Sequence, residues 1–128
     1  MIWDTTVADT VCQSYVEQCS KNAGAAAEAR ETIKSNKYTE LAETYHFTPI
    51  GVETFGSWGT EGHKLVKEIG RKVMHETGEK RSAFFLFQSI SIAIQRGNAS
   101  CILGTVPHSS SYLFENISLV LDHFVKHL

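Results

Sequence analysis

An aspartate and two lysines are the residues whose types and order could do chemistry together. Asp4 lies inside a short run of β-branched residues, where acidic side chains are disfavoured. Such an aspartate either lies in a frayed strand end that faces water, or it points at a metal ion or at a lysine. Lys34 and Lys37 lie on a long predicted helix, on the side that also carries apolar residues. There a lysine either extends its stem to water or meets an acidic partner, because an unpaired buried charge is costly.

Phosphodiester cleavage is a reaction that uses these residue types. A carboxylate holds a divalent cation that polarises the phosphate and generates hydroxide, and a lysine orients that water or neutralises the developing charge. A lone aspartate and a lone lysine are weak evidence for this chemistry. The order of the surrounding segments along the chain is more informative than either residue alone.

Hydrophobic spacing and turn residues predict the elements that would position these side chains. Asp9 suits the N-cap of a first helix, and an alanine-rich stretch leads into the long helix. Segment 82–96 fits a buried helix or, from its alternation, a strand; its length without a breaker favours the helix. A loop at residues 109–111 precedes a last amphipathic helix marked by Ile117, Val120, Leu121, Phe124 and Leu128. The other predicted elements are a strand at 2–8, helix 10–20, the long helix ending near 45, a strand at 47–54 and helix 60–77 that stops at Gly78.

The composition limits the classes of protein to which this chain can belong. With 128 residues, of which 42% are hydrophobic, the chain fits one compact core. The amino terminus lacks the order of a signal peptide, and no apolar run approaches the ~18 residues that a membrane span needs, so we expect an intracellular protein without a membrane partner. Three cysteines without close pairing argue against a disulfide framework or a zinc site.

The net charge of −2 does not by itself indicate a nucleic-acid-binding protein, because phosphate binding normally appears as a basic excess. The charge is uneven, however, and a basic segment runs from residue 64 to residue 81. Its helix either follows a phosphate backbone or presents an ordinary solvated face. The candidate nucleic-acid-binding residues are Lys64, Lys67, Arg71 and Lys72.

Segments of the chain, in their order, resemble a known nuclease family. They are IWDTTVADT at residues 2–10, KSNKYTEL at 34–41, FTPIGVETFG at 47–56 and FQSISIAIQRGNA at 87–99. Together they resemble the restriction-like endonuclease region at the carboxy-terminal end of non-long-terminal-repeat retrotransposon polyproteins. The resemblance covers roughly residues 2 to 105 and is more specific than any one segment.

The resemblance implies a fold, a reaction and a set of residues. The fold would be α/β, with an incomplete PD-(D/E)XK nuclease core of few strands and several packed helices. Asp4, assisted by Glu53, would bind Mg²⁺, and Lys34 and Lys37 would be the catalytic lysines. The substrate would be DNA, and the protein would be nuclear if it belongs to an active retrotransposon.

The sequence also departs from the family. Family members have a further strand before the first one here, and that strand ends in an Arg/Lys-Pro-Asp motif whose aspartate also binds metal. We therefore expect an amino-terminally truncated core at residues 1–105, followed by a loop and helix at 106–128. Two strands alone rarely make a stable sheet. The alternative function is a non-catalytic nucleic-acid-binding module, or one that oligomerises through an exposed strand edge.

Overall fold

The computed structural model describes residues 1–102, 117, 119–123 and 125–126. The chain divides into two compact units, Met1–Lys64 and Leu65–Leu128. Its class is mixed α/β, with a two-stranded parallel sheet and several helices. The predicted loop at 109–111, and Phe124 and Leu128 of the predicted last helix, lie outside the described residues.

The order of elements agrees closely with the sequence patterns. The first strand and the helix from residue 60 have the predicted bounds, and that helix ends at Thr77, just before Gly78, which has a positive φ of 73°. Segment 82–96 is helical, and the helix continues to Ile102. The elements are β1 (Ile2–Ala8), α1 (Val16–Lys21), α2 (Ala25–Lys37), α3 (Thr39–Thr44), β2 (Phe47–Glu53), α4 (Thr60–Thr77) and α5 (Ser82–Ile102).

The first unit is built on the β1–β2 pair. The strands are parallel, with Ile2 opposite Phe47 and Ala8 opposite Glu53. Parallel neighbours need a long connection, and α1, α2 and α3 supply it, with α2 in contact with both strands. The sheet therefore holds α2 across one of its faces.

The outer edge of β2 is closed. The Gly51 N–H donates to the Glu31 carboxylate at 3.0 Å, and the Glu53 N–H donates to the Ser57 carbonyl at 2.8 Å. Pro49, two residues before Gly51 on the same edge, has no N–H to satisfy, which is why a proline is tolerated in this strand.

Two helices differ from the predicted bounds. The helix predicted from residue 10 begins at Val16, because the Asp9 side chain accepts the Val11 N–H at 3.1 Å and forms a turn. The predicted long helix ends at Lys37 and α3 follows it. Beside this break the Thr39 hydroxyl donates to helix carbonyls, which favours a local bend.

The buried side of α2 also differs from the side that the sequence marks as apolar. The sequence analysis put Lys34 and Lys37 on the apolar side of the long helix, but two apolar residues of that side, Ile33 and Tyr45, are 52% and 53% exposed. The buried residues of α2 are Ala26, Ala27 and Glu31. Small residues allow this close packing, since a Cβ on Gly51 of β2 would overlap the Ala27 carbonyl.

The second unit contains most of α4 and all of α5. At Gly70 the two helices approach closely, because a Cβ there would lie 2.5 Å from the Ala83 Cα atom. Ile117 and Leu121, which are helical, are fully buried. No helix among the described residues is long and apolar enough to cross a membrane. The buried apolar residues of α4 and α5 are Leu65, Val66, Ile69, Val73, Leu86, Ile90, Ala93 and Ile94.

Candidate active site

The Asp4 carboxylate and the Lys34 ammonium form an ion pair between β1 and α2. The Lys34 Nζ atom lies 2.5 Å from Asp4 Oδ2. Both side chains are partly buried, with 32% of Asp4 and 24% of Lys34 exposed. Because both side chains are partly shielded from water, the attraction between the two charges is stronger than at an exposed surface. Both side chains can still be reached by a ligand from solvent.

The positions of the two residues follow from the packing of α2 on the sheet. Alternate residues of a strand point to one face, so Asp4, Thr6 and Ala8 share a face of β1. On α2, Lys34 lies two turns after Ala27, which packs closely on β2. The chain places an acid on the strand and an amine on the helix side that meets it.

The second carboxylate oxygen of Asp4 is the feature that could bind a cation. Lys34 occupies Oδ2, and no residue of the described part of the chain donates a hydrogen bond to Oδ1. Magnesium prefers oxygen ligands and is commonly held by one or two carboxylates together with substrate phosphates and waters. Asp4 fits one such ligand position.

Lys37 lies near this ion pair but is not part of it. Its side chain is exposed, and its Nζ atom lies 5.2 Å from the centre of the Tyr38 ring. The Lys34 Nζ atom lies 5.9 Å from the same ring. Of the two predicted lysines, the structure therefore brings Lys34 to Asp4 and directs Lys37 to an aromatic ring.

Glu53 lies elsewhere in the first unit, beside the first turn of α2. Its side chain is 1% exposed, and it accepts hydrogen bonds from the Ala26 N–H at 3.0 Å and the Cys19 thiol at 3.4 Å. It thus caps the first turn of α2, whose amides lack helical partners. Asp4 pairs with Pro49, four residues before Glu53 in β2, a strand distance of about 13 Å. The structure does not bring Glu53 to Asp4.

The Cys19 thiol is affected by the same glutamate. Burial raises the pKa of Cys19, and the hydrogen bond to the Glu53 carboxylate raises it further. The thiol therefore remains protonated over a wider pH range than an ordinary cysteine.

Among the described residues, no cluster of three or more histidine, cysteine, aspartate or glutamate side chains could hold a metal ion.

Glu31 is the residue that the sequence patterns missed. It is 4% exposed and its carboxylate accepts backbone N–H groups from Gly51, Glu61 and Gly62 at 2.8 to 3.0 Å. It thereby joins β2 to the first turn of α4. One signal could have found it: Ala27, Glu31 and Lys34 lie on one side of α2 at helical spacing.

The candidate nucleic-acid-binding residues of α4 are all exposed. Lys64 pairs with Glu61 at 2.8 Å, and this hydrogen bond raises the pKa of the Lys64 ammonium. Lys72 pairs with Glu68 at 3.4 Å. Within the described ranges, Lys67 and Arg71 have no acidic partner. These two, one turn apart, are the cations most available to a phosphate.

The geometry shows a partly buried acid–amine pair, two glutamates that cap helices, and an exposed basic helix face. Comparisons with protein-family models, with curated proteins and with solved structures find no match to this chain. A carboxylate with one open oxygen beside a cationic amine is suited to bind a metal-bridged phosphate.

Proposed function

We propose that this chain is a divalent-metal-dependent DNA endonuclease domain whose active site is built on Asp4 and Lys34. The observation that supports the proposal is the contact between Lys34 Nζ and Asp4 Oδ2, which joins residues 30 positions apart in sequence. The order of segments around both residues resembles the retrotransposon nuclease family. A surface ion pair alone is weak evidence of function, but this pair is partly buried and leaves Asp4 Oδ1 open.

In the proposed site, Asp4 would hold the cation through Oδ1, with phosphate oxygens of DNA and water as the other ligands. When bound, a divalent cation supplies a Lewis acid for the phosphate and lowers the pKa of a bound water. Lys34 stays beside the carboxylate and neutralises the negative charge that develops on the phosphate oxygens.

Binding to DNA without cleavage is the second candidate function. It is favoured by the exposure of Lys67 and Arg71, which have no acidic partner in the described part of the chain. Such residues give sequence-independent affinity that falls steeply with salt. The two candidates differ in whether bound DNA is cut and whether Asp4 matters.

Nicking of supercoiled plasmid DNA tests the proposal. The wild-type chain should convert plasmid to the nicked form in Mg²⁺ or Mn²⁺ but not in EDTA. Asp4→Asn keeps the size of the side chain and removes its charge, so it should lower the rate by about 100-fold or more. Asp9→Asn, at an exposed turn where asparagine makes the same hydrogen bond, is the matched control and should retain the rate.

Two results would contradict the proposal. One is wild-type protein that binds DNA but does not nick it in either metal, which would favour the second candidate. The other is an Asp4→Asn variant as active as the Asp9→Asn variant. Calorimetric titration with Mn²⁺ in the presence of uncleavable DNA gives an independent readout, since the Asp4→Asn variant should bind the ion more weakly than the control.

A further inference from the structure

Arg30 of α2 is a partly buried cation without an acidic partner in the described part of the chain. Its Nε atom is enclosed by the protein and has no hydrogen-bond partner there. The guanidinium lies over the ring of Tyr15, with its carbon atom 5.7 Å from the ring centre. Native proteins pair nearly all of their buried polar groups, so an arginine left in this state needs an explanation.

Every acid of α2 and β1 already has another partner. Glu28 accepts a hydrogen bond from a threonine hydroxyl, and Glu31 accepts three backbone N–H groups. Asp4, the one acid of β1, is paired with Lys34. These two elements therefore offer no carboxylate to neutralise Arg30, and a partly buried charge without a counter-charge is unfavourable. An anion from outside the chain would supply the missing charge.

The position of Arg30 on α2 connects it to the ion pair of the candidate site. Residues four apart lie on the same face of a helix, so Arg30 lies one turn before Lys34. Ala26, a further turn earlier, is fully buried, and Lys34 contacts Asp4 of the sheet. The step from Arg30 to Lys34 is about 6 Å along the helix axis. Arg30 is thus a second cation beside the ion pair.

The chemistry of the arginine side chain identifies the class of anion. A guanidinium keeps its charge at all ordinary pH values, and its planar set of donors matches the oxygens of a carboxylate or a phosphate. Successive phosphates of a DNA strand are separated by about 3.4 Å of duplex axis, so a step of about 6 Å corresponds to one or two nucleotides. A strand can therefore offer one phosphate to Lys34 and another to Arg30.

We propose that Arg30 binds a phosphate of the DNA strand one or two nucleotides from the phosphate at Asp4 and Lys34. The inference rests on the proposed function, because it takes DNA to be the ligand of that site. Arg30 would fix the position of the strand along α2, as phosphate contacts do, and would not touch the reacting atoms. The substrate class that follows is a polynucleotide strand with a phosphate next to the one that reacts.

The salt dependence of DNA binding tests this contact without any cleavage. Fluorescence anisotropy of a short labelled duplex in EDTA gives the slope of log affinity against log salt concentration. Arg30→Met keeps the apolar stem beside Tyr15 and removes the charge. It should reduce the slope by about 0.9 and weaken binding by about eightfold at roughly 0.1 M salt, the effect of one lost phosphate contact. Arg30→Lys keeps the charge and should restore the slope.

Arg96→Met is the matched control, since it removes an exposed arginine of α5, and it should keep the wild-type slope. Partial unfolding alone would lower the concentration of active protein at every salt concentration and leave the slope unchanged. An unchanged slope in Arg30→Met, or an equal change in Arg96→Met, would overturn the proposal. Arg30→Gln repeats the measurement if Arg30→Met fails to fold.

Two further outcomes separate this inference from the alternatives. A changed slope in Arg30→Met together with wild-type protein that does not nick plasmid would support the phosphate contact and contradict the nuclease function. Nicking by wild type with an unchanged slope would contradict the contact alone. If inorganic phosphate at constant ionic strength displaces the duplex from wild type but not from Arg30→Met, Arg30 binds a free phosphate ion and the assignment to a strand is overturned.

Discussion

Replacing Glu31 by glutamine is the sharpest structural perturbation that this chain offers. The carboxylate is buried and accepts three backbone N–H groups, from Gly51, Glu61 and Gly62. Glutamine has nearly the same shape but carries one acceptor oxygen and an amide group that donates. If that oxygen keeps the bonds from Gly51 and Gly62, the amide group faces the Glu61 N–H, and two donors oppose each other.

The cost follows from those three contacts. An N–H that faces another donor in place of its acceptor costs about 1–3 kcal/mol, and two charge-assisted bonds that become neutral lose about 1 kcal/mol each. We therefore expect Glu31→Gln to lower the free energy of unfolding by roughly 3–5 kcal/mol, which is a large part of the stability of a small protein.

Urea unfolding followed by far-ultraviolet circular dichroism measures this difference. Glu43→Gln, the same chemical change at an exposed position of α3, is the matched control and should alter stability by no more than about 0.5 kcal/mol. A Glu31→Gln variant with the stability of the Glu43→Gln variant would refute the reasoning, because the three hydrogen bonds to this buried carboxylate could not then be important for the fold.

Three further predictions concern other parts of the chain. Glu53→Gln removes the charge beside Cys19, so the pKa of the thiol should fall and its alkylation should begin at lower pH than in wild type; an unchanged profile would contradict the contact. Gly70→Val should destabilise the protein by about 1–3 kcal/mol in urea, because α4 and α5 touch there, and a neutral effect would show that they can separate. Replacing Lys67 and Arg71 by glutamine should reduce the slope of log affinity for DNA against log salt concentration by about two phosphate contacts, whatever the DNA sequence. An unchanged slope would show that these two residues of α4 do not contact DNA.

The sequence predicts the elements that depend on local patterns. The β-branched run gives the bounds of β1, and the helical repeat before Gly78 gives those of α4. The meeting of Asp4 with a lysine of the long helix also follows from order, because a helix that connects parallel strands has to cross the sheet.

The sequence patterns do not predict features that depend on hydrogen bonds between residues far apart in the chain. Glu31 and Glu53 look like ordinary helix and strand glutamates, yet their hydrogen-bond partners lie 20 or more residues away. The end of α2 depends on the balance between helix propensity and the hydrogen bonds of the Thr39 hydroxyl, which propensity alone does not contain. Glu53 was therefore assigned to a metal site although in the structure it caps α2.

Nicking by two lysine variants tests most directly whether the pair at β1 and α2 is an active site. Lys34→Met and Lys37→Met make the same change one turn apart on α2, and both keep the apolar stem of the side chain. If Asp4 and Lys34 act together, Lys34→Met should lose metal-dependent nicking by about 100-fold or more while Lys37→Met retains most of it. Equal activity of the two variants, or a greater loss in Lys37→Met, would contradict the proposed site.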